Sequence, residues 1–178
     1  MQNDRHIANI ALIGFMGAGK SSVGHLVAGQ LHFEYLDTDE IIESRTGRTI
    51  TNIFAICGEP AFRKLESDLT RELSTRTGTV ISTGGGLPLD SQNLDSLKTH
   101  ALVVCLWASP EKIWDRVKNQ EHRPLLHDAD PQKKIRDLLV AREPFYRQAD
   151  VLLNTELRTL HEVAQQVAYQ FQLESSRR

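Results

Sequence analysis

The stretch Gly14-Phe15-Met16-Gly17-Ala18-Gly19-Lys20-Ser21 matches the phosphate-loop pattern G-x-x-x-x-G-K-[ST] without a gap. Before it, residues 7–13 form a mostly apolar run that is typical of a short buried strand. After it, apolar side chains recur at helical spacing, at Val23, Leu26, Val27 and Leu31. A strand, a glycine-rich turn and a helix in this order are the context that the motif requires. The stretch therefore predicts a nucleoside triphosphate site at the start of the first helix.

The parts of this loop have separate chemical tasks. Glycines allow successive backbone N–H groups to point at a phosphate, and the helix N-terminus adds partial positive charge. Lys20 is placed to reach the β and γ phosphates, and the Ser21 hydroxyl is a ligand type suited to Mg²⁺. The predicted nucleotide-binding residues of the loop are Gly17, Ala18, Gly19, Lys20, Ser21 and Ser22.

The composition narrows the class of protein. The chain has 178 residues, enough for one domain, and its formal net charge is −2. This balance argues against nucleic acid or an anionic membrane surface as the partner. Cys57 and Cys105 have no metal-ligand spacing, and Cys105 lies in an apolar run typical of core. With a short polar N-terminus and no apolar run of about 20 residues, we expect a cytoplasmic protein.

The hydrophobic pattern alternates strands with helices along residues 1–178, which predicts a single three-layer α/β domain with a five-stranded, mainly parallel sheet. Strands are predicted at residues 7–13, 34–36, 79–81, 101–107 and 151–153, and helices at residues 23–31, 40–45, 49–57, 61–75, 90–98, 110–118, 132–143 and 160–171. Pro144 is expected to end or kink the seventh helix. The polar segment at about 119–131 has the length of a lid.

The motifs that identify other classes of phosphate-loop protein are absent from this sequence. The sequence has neither the N-K-x-D guanine motif of a GTPase nor the L-S-G-G-Q-like signature of a transporter ATPase. The remaining class is a kinase for a small molecule or a nucleotide.

A set of short motifs indicates one particular family within this class of kinases. In order along the chain they are Asp37-Thr38-Asp39, Arg45-Thr46-Gly47-Arg48-Thr49-Ile50, Ile53-Phe54, Gly58-Glu59, Phe62-Arg63-Lys64-Leu65-Glu66, Gly84-Gly85-Gly86, Arg123-Pro124-Leu125-Leu126 and Arg142-Glu143-Pro144-Phe145-Tyr146. In order and spacing they resemble the shikimate kinase family over about residues 8–155. The resemblance implies a nucleoside-monophosphate-kinase-like fold, with a substrate-binding region at about 38–66, and transfer of phosphate from ATP to the 3-hydroxyl of shikimate. The expected partners are these two small molecules, with Mg²⁺ as cofactor.

The resemblance also implies roles for individual residues. It makes Lys20, Asp39 and Arg123 catalytic, with Asp39 gripping the substrate hydroxyls and Arg123 reaching the transferred phosphate. It makes Asp37, with Ser21, a metal ligand, and Glu66 the residue that orients Arg63. Arg116 is expected at adenine. The implied substrate-binding residues are Asp39, Arg63, Gly84, Gly85, Gly86 and Arg142.

Ordinary structural explanations compete with several of these roles. One aspartate of the pair Asp37 and Asp39 could cap the following helix, although alternation along a strand-like segment would point the two in different directions. Arg142 could reach out to solvent from its helix. The triplet at 84–86 could be a flexible turn, although three glycines cost conformational entropy and favour close approach to a ligand. Glu66 and Arg63 could form a surface ion pair.

One segment departs from the family. Residues 153–160, which would follow the last strand on the adenine side, contain no proline, where the family usually has an Asp and then a Pro. The histidines show no metal-site spacing, and His122 and His127 of the lid are expected to be solvated loop residues. Alternatives to a shikimate kinase are a kinase for another small polyol acid such as gluconate, and a non-catalytic relative. Because no apolar helix stripe is left unused in the pattern, a monomer is expected.

Overall fold

A five-stranded parallel sheet forms the centre of the molecule. The computed structural model describes residues 5–119 and 129–176. The strands are β1 (Asn9–Ile13), β2 (Glu34–Asp37), β3 (Thr79–Ser82), β4 (Ala101–Trp107) and β5 (Val151–Asn154). Their order is β2-β3-β1-β4-β5, and every pairing is parallel. The central strand β1 is buried along its whole length, as expected for a parallel sheet covered on both faces. The predicted α/β fold is confirmed.

Eight α-helices in the described residues surround this sheet. They are α1 (Lys20–Leu31), α2 (Thr38–Thr46), α3 (Ile50–Cys57), α4 (Glu59–Leu73), α5 (Ser91–His100), α6 (Pro110–Val117), α7 (Pro131–Tyr146) and α8 (Leu160–Ser175), with a 3₁₀ turn at Leu87–Leu89. Helix α1 packs against α8, and α4 packs against α5. Capping side chains fix where several helices begin. Ser109 caps α6 ahead of Pro110, and Thr159 with Glu162 forms a capping box on α8. None of these helices combines the length and the apolar character needed to cross a membrane.

Several helix boundaries differ from the sequence prediction, and two of these differences have a clear physical reason. Helix α2 begins at Thr38, because the Asp37 carboxylate accepts hydrogen bonds from the backbone N–H groups of Asp39 and Glu40 and caps the helix there. Helix α7 continues past Pro144 to Tyr146. A proline leaves the carbonyl four residues earlier without its donor. That residue is Val140, which is 67% exposed, so water can serve the carbonyl and the helix tolerates the proline.

A buried polar network closes the end of the sheet opposite the phosphate loop. Asn9 Oδ1 accepts from the backbone N–H of Thr79 at 3.0 Å, which fixes the orientation of the amide. Asn9 Nδ2 must then donate to His100 Nδ1, also at 3.0 Å, so the ring is neutral. His100 is therefore a buried core histidine. Burial, and next the charge of Arg5, lowers its pKa.

This network predicts acid sensitivity of the fold. Because the pKa of His100 is lower in the folded protein than its ordinary 6.5, the unfolded chain binds the proton first as the pH falls below that value. The free energy of unfolding of the wild type should therefore decline from about pH 6.5 downward, and the decline should be shallower in His100→Gln. Urea unfolding of both proteins at several pH values measures this difference. Parallel curves for the two proteins would contradict the assignment of a neutral His100.

Candidate active site

The phosphate loop lies between the end of β1 and the start of α1. Gly14, Gly17 and Gly19 have positive φ angles of 135°, 72° and 101°, a region that favours glycine. At Gly14 an added Cβ would also lie 2.2 Å from the backbone oxygen of Leu106, so no other residue fits there. The loop can curl as the sequence predicts because these positions are glycine.

One large cleft of about 720 Å³ opens above this loop, and we call it the main cleft. Its predicted site residues are Gly17, Gly19, Lys20, Ser21, Ser22, Asp37, Asp39, Gly84, Gly85 and Arg116. Ala18 is fully buried, so it can present only its backbone. The Lys20 ammonium donates to the carbonyl oxygens of Gly14 and Phe15 at 2.9 and 3.0 Å, which keeps it at the loop. Residues far apart in the chain therefore meet at one cavity.

The two aspartates after β2 both face the main cleft, and the sequence argument that they point in different directions is wrong. Residues two apart in a strand share a face, so strand alternation does not separate Asp37 from Asp39, and Asp39 in any case lies in the first turn of α2. Asp37 serves as the helix cap and still lines the cleft, accepting from the Tyr35 hydroxyl at 3.3 Å. Asp39 is half-buried, and its Oδ1 is buried with no hydrogen-bond partner among the described residues. Burial, with the nearby Asp37 charge second, raises the pKa of Asp39 to about 6.

A second buried carboxylate lies beside Asp39. Glu66 is fully buried on α4, which excludes a surface ion pair. Its Oε2 accepts from Arg63 Nη1 at 2.5 Å, and its Oε1 has no partner among the described residues. Burial raises the pKa of Glu66 to about 7, against the opposing effect of Arg63. Arg63 also donates to Glu59 at 2.8 Å, so its guanidinium is held between two carboxylates.

The glycine triplet packs against these charged groups. None of its three residues has a positive φ, so the requirement for glycine is steric. A Cβ on Gly84 would lie 2.7 Å from Asp39 Oδ1 and 3.0 Å from Glu66 Oε1. A Cβ on Gly86 would lie 2.6 Å from Arg63 Nη1. The close approach that the sequence predicted is therefore, in this structure, an approach to site side chains.

Gly84→Ala should accordingly damage the site while leaving the fold intact. The added methyl group must displace Asp39 or Glu66, because both carboxylates lie within 3.0 Å of it. We expect a loss in kcat/KM of about tenfold or more, which corresponds to about 1.4 kcal/mol. Gly29→Ala is the matched control, because nothing lies within 4 Å of its Cβ position on α1. The measurement is steady-state kinetics with thermal unfolding of both variants. Equal kcat/KM in the two would contradict this packing.

Arg142 reaches the same triplet from α7. Its Nη1 donates to the Gly85 carbonyl at 3.3 Å, and its guanidinium lies over the Phe15 ring, 5.4 Å from the centroid. The Tyr146 hydroxyl donates to the same carbonyl at 2.7 Å. Arg142 is therefore directed inward and does not extend into solvent. Arg63, Arg142 and Gly86 do not line the main cleft, but they adjoin it through Gly85 and Glu66.

The far end of the main cleft lies after β5. Arg116 on α6 donates to the Gly17 carbonyl at 3.0 Å and to the Thr155 carbonyl at 2.7 Å, which joins this segment to the phosphate loop. The sequence analysis did not single out several further lining residues: Met16, Ser82, Thr83, Thr155, Arg158, Thr159 and Leu160. Their positions in the sequence could have indicated some of them, because ligands of parallel sheets bind at the carboxyl ends of the strands. Arg123 and most of the predicted lid lie outside the described residues.

Taken together, the site defines a class of protein. A phosphate loop with its lysine opens at the carboxyl edge of a parallel sheet, and two half-buried aspartates line the same cleft. These are the features of a phosphate-loop kinase for a small molecule, in which positioning and charge do most of the chemistry.

Comparison with known proteins gives the family. A model of the family "Shikimate kinase" matches residues 16–172, and the chain belongs to the shikimate kinase family. The shikimate kinase of Thermodesulfovibrio yellowstonii is 42% identical over 164 residues, which cover 92% of this chain and 95% of that protein. That of Thermus thermophilus is 42% identical over 159 residues, covering 89% and 86%.

Solved structures agree with this assignment. The shikimate kinase from Acinetobacter baumannii in complex with shikimate superposes with a TM-score of 0.88 at 38% identity, covering 97% of this chain and 96% of that one. The Aquifex aeolicus shikimate kinase has a TM-score of 0.78 at 33% identity, covering 94% and 98%. A gluconokinase from Sinorhizobium meliloti has a TM-score of 0.63 at 16% identity over 96% and 95% of the two chains, which shows the fold alone.

Proposed function

We infer that this chain is an ATP-dependent kinase that phosphorylates the 3-hydroxyl of shikimate to shikimate 3-phosphate, a step toward aromatic amino acids. The principal supporting observation is that Lys20 of the phosphate loop and Asp39 line the same cleft. Phosphoryl transfer requires an anion site for the donor and an acceptor hydroxyl held in line with it. The main cleft supplies both within one cavity.

We propose that Asp39 holds the acceptor hydroxyl. Asp39 lines the main cleft beside Gly84, so its carboxylate can accept a hydrogen bond from a substrate hydroxyl there. With a pKa of about 6, the carboxylate is mostly ionised at neutral pH and is placed near the value suited to a general base. Glu66, fully buried next to it, acts by fixing Arg63 through its 2.5 Å ion pair.

Arg63 and Arg142 are the proposed partners of the substrate carboxylate. They approach the glycine triplet from α4 and α7, with guanidinium groups at the Cβ positions of Gly86 and Gly85. A planar guanidinium matches a carboxylate with two parallel hydrogen bonds, which a lysine cannot reproduce. An acid with several hydroxyl groups would therefore bind with its carboxylate toward these arginines and a hydroxyl toward Asp39.

The donor site suits MgATP. Among the described residues no group of three or more His, Cys, Asp or Glu side chains could hold a metal ion. Magnesium in kinases instead uses one or two protein ligands together with phosphate oxygens and water. Ser21 and Asp37 line the main cleft beside Lys20 and fit that set. When bound, the ion would neutralise phosphate charge. We propose Gly17, Ala18, Gly19, Lys20, Ser21 and Ser22 for the phosphates and Arg116 for the adenine.

Three further expectations stay predictions. Arg123 is proposed to reach the transferred phosphate as the lid closes. A single-domain monomer in the cytoplasm is also proposed. Light scattering of the purified protein measures the oligomeric state.

A coupled assay of ADP release tests the proposed function. We expect turnover with shikimate and little with gluconate, since the gluconokinase shares only 16% identity with this chain. Faster ADP release with gluconate would favour the other polyol-acid kinase. The absence of ADP release with both substrates, in a protein that still binds MgATP, would favour a non-catalytic relative.

A further inference from the structure

A second cavity of about 460 Å³ lies on the other side of α7 from the substrate arginines, and we call it the α7 cavity. Its lining comes from β4, β5, the start of α6 and one face of α7. The walls are mostly apolar: Cys105, Trp107, Leu139, Val140, Tyr146 and Leu152. Trp107 and Leu152 are 45% and 44% exposed, so a small molecule can enter from solvent. The volume falls within the range of small-molecule sites.

The charged groups at the rim indicate what could bind there. Arg147 is neutralised by Glu143, whose Oε1 lies 2.6 Å from its Nη2. Within residues 5–119 and 129–176, the ionic partner of Arg136 is Glu111 alone, at 3.6 Å, which is longer than a hydrogen bond. Arg136 therefore presents open guanidinium donors beside an apolar cavity. One open cation next to apolar walls matches a single carboxylate attached to an apolar ring.

Tyr146 connects the α7 cavity to the main cleft. Its ring lines the α7 cavity, and its hydroxyl donates to the Gly85 carbonyl at 2.7 Å. Arg142 donates to that same carbonyl, and Gly85 itself lines the main cleft. Burial raises the pKa of Tyr146 to about 12, so the hydroxyl keeps the proton that it donates. A molecule packed against the ring would thus hold Tyr146, Gly85 and Arg142 in the arrangement seen here.

We propose that the α7 cavity is an effector site for a small monocarboxylate with an apolar ring, and that its occupation increases the affinity of the main cleft for its acidic substrate. Two sites that stabilise the same arrangement of Gly85 and Arg142 are coupled, and the coupling is reciprocal. We expect the effector to lower the KM for shikimate by about fivefold, the lower end of typical coupling. The coupling to shikimate rests on the proposed function, whereas binding of the effector does not.

Isothermal titration calorimetry with 4-ethylbenzoate tests the binding. The neutral 4-ethylbenzamide has the same ring without the charge and should bind at least about tenfold more weakly. Val140→Trp should abolish binding, because an indole at this exposed position fills the cavity. The matched control is Leu173→Trp on α8, at another partly exposed position that lines neither cavity. In Arg136→Ala, 4-ethylbenzoate should bind only as weakly as 4-ethylbenzamide binds to the wild type.

Tyr146→Phe separates binding from coupling. The variant keeps the ring that lines the α7 cavity but loses the hydroxyl that reaches Gly85. It should bind 4-ethylbenzoate with unchanged affinity, while the effect of the ligand on the KM for shikimate disappears. A persistent effect in this variant would overturn the coupling. Absence of binding to the wild type, or binding that shikimate displaces and Val140→Trp leaves unchanged, would overturn the site itself.

Discussion

Lys20→Ala should reduce kcat by about a thousandfold, since removal of one preorganised charge stabiliser costs about 10²–10³ in rate and this one also positions the donor. In the structure the Lys20 ammonium is held by the carbonyls of Gly14 and Phe15 at the base of the main cleft. Phosphate charge that develops there loses its fixed cation in the variant. MgATP binding should weaken as well, because the same ammonium faces the β and γ phosphates.

Steady-state kinetics and a nucleotide titration measure both effects. Lys98→Ala on α5 is the control, because Lys98 lies in the last turn of a helix whose residues do not line the main cleft. Surface substitutions of this kind usually stay within about 0.5 kcal/mol, so the control should keep its kcat. Near-normal turnover in Lys20→Ala would contradict the assignment of the phosphate site.

Asp39→Asn should reduce kcat by about 10²–10⁴ while MgATP still binds, because general-base and hydroxyl-positioning residues contribute on that order. The amide has the shape of the carboxylate but lacks its charge and places an NH₂ group where a hydroxyl must donate. The close packing around Asp39 leaves little room for another group to take over its role. Asp39 Oδ1 lies at the Cβ position of Gly84, with Glu66 Oε1 close beside it.

The control for this prediction is Asp95→Asn, an exposed aspartate on α5. The informative comparison is kcat against the affinity for MgATP in both variants. We expect Asp39→Asn to lose turnover with nucleotide affinity within about threefold of the wild type. If kcat stays within about twofold of the wild type, Asp39 neither positions nor deprotonates the acceptor, and the acceptor site must be sought elsewhere.

The sequence by itself predicted the parts of this protein that depend on contiguous residues. The phosphate loop, its flanking strand and helix, and the alternation that produces a parallel sheet are all encoded in short stretches. Helix starts such as Ser109-Pro110 are equally local, because a cap needs only its own first turn. Eight short motifs in register were enough to indicate the family, whose model matches residues 16–172.

Only the tertiary structure decided how the side chains of those motifs are arranged. The sequence could not show that Glu66 is fully buried or that His100 is a neutral core residue. It gave no sign of the α7 cavity. Each of these features depends on contacts between elements distant in the chain. Burial, steric fit and the pKa shifts that follow from them arise only when those elements pack together.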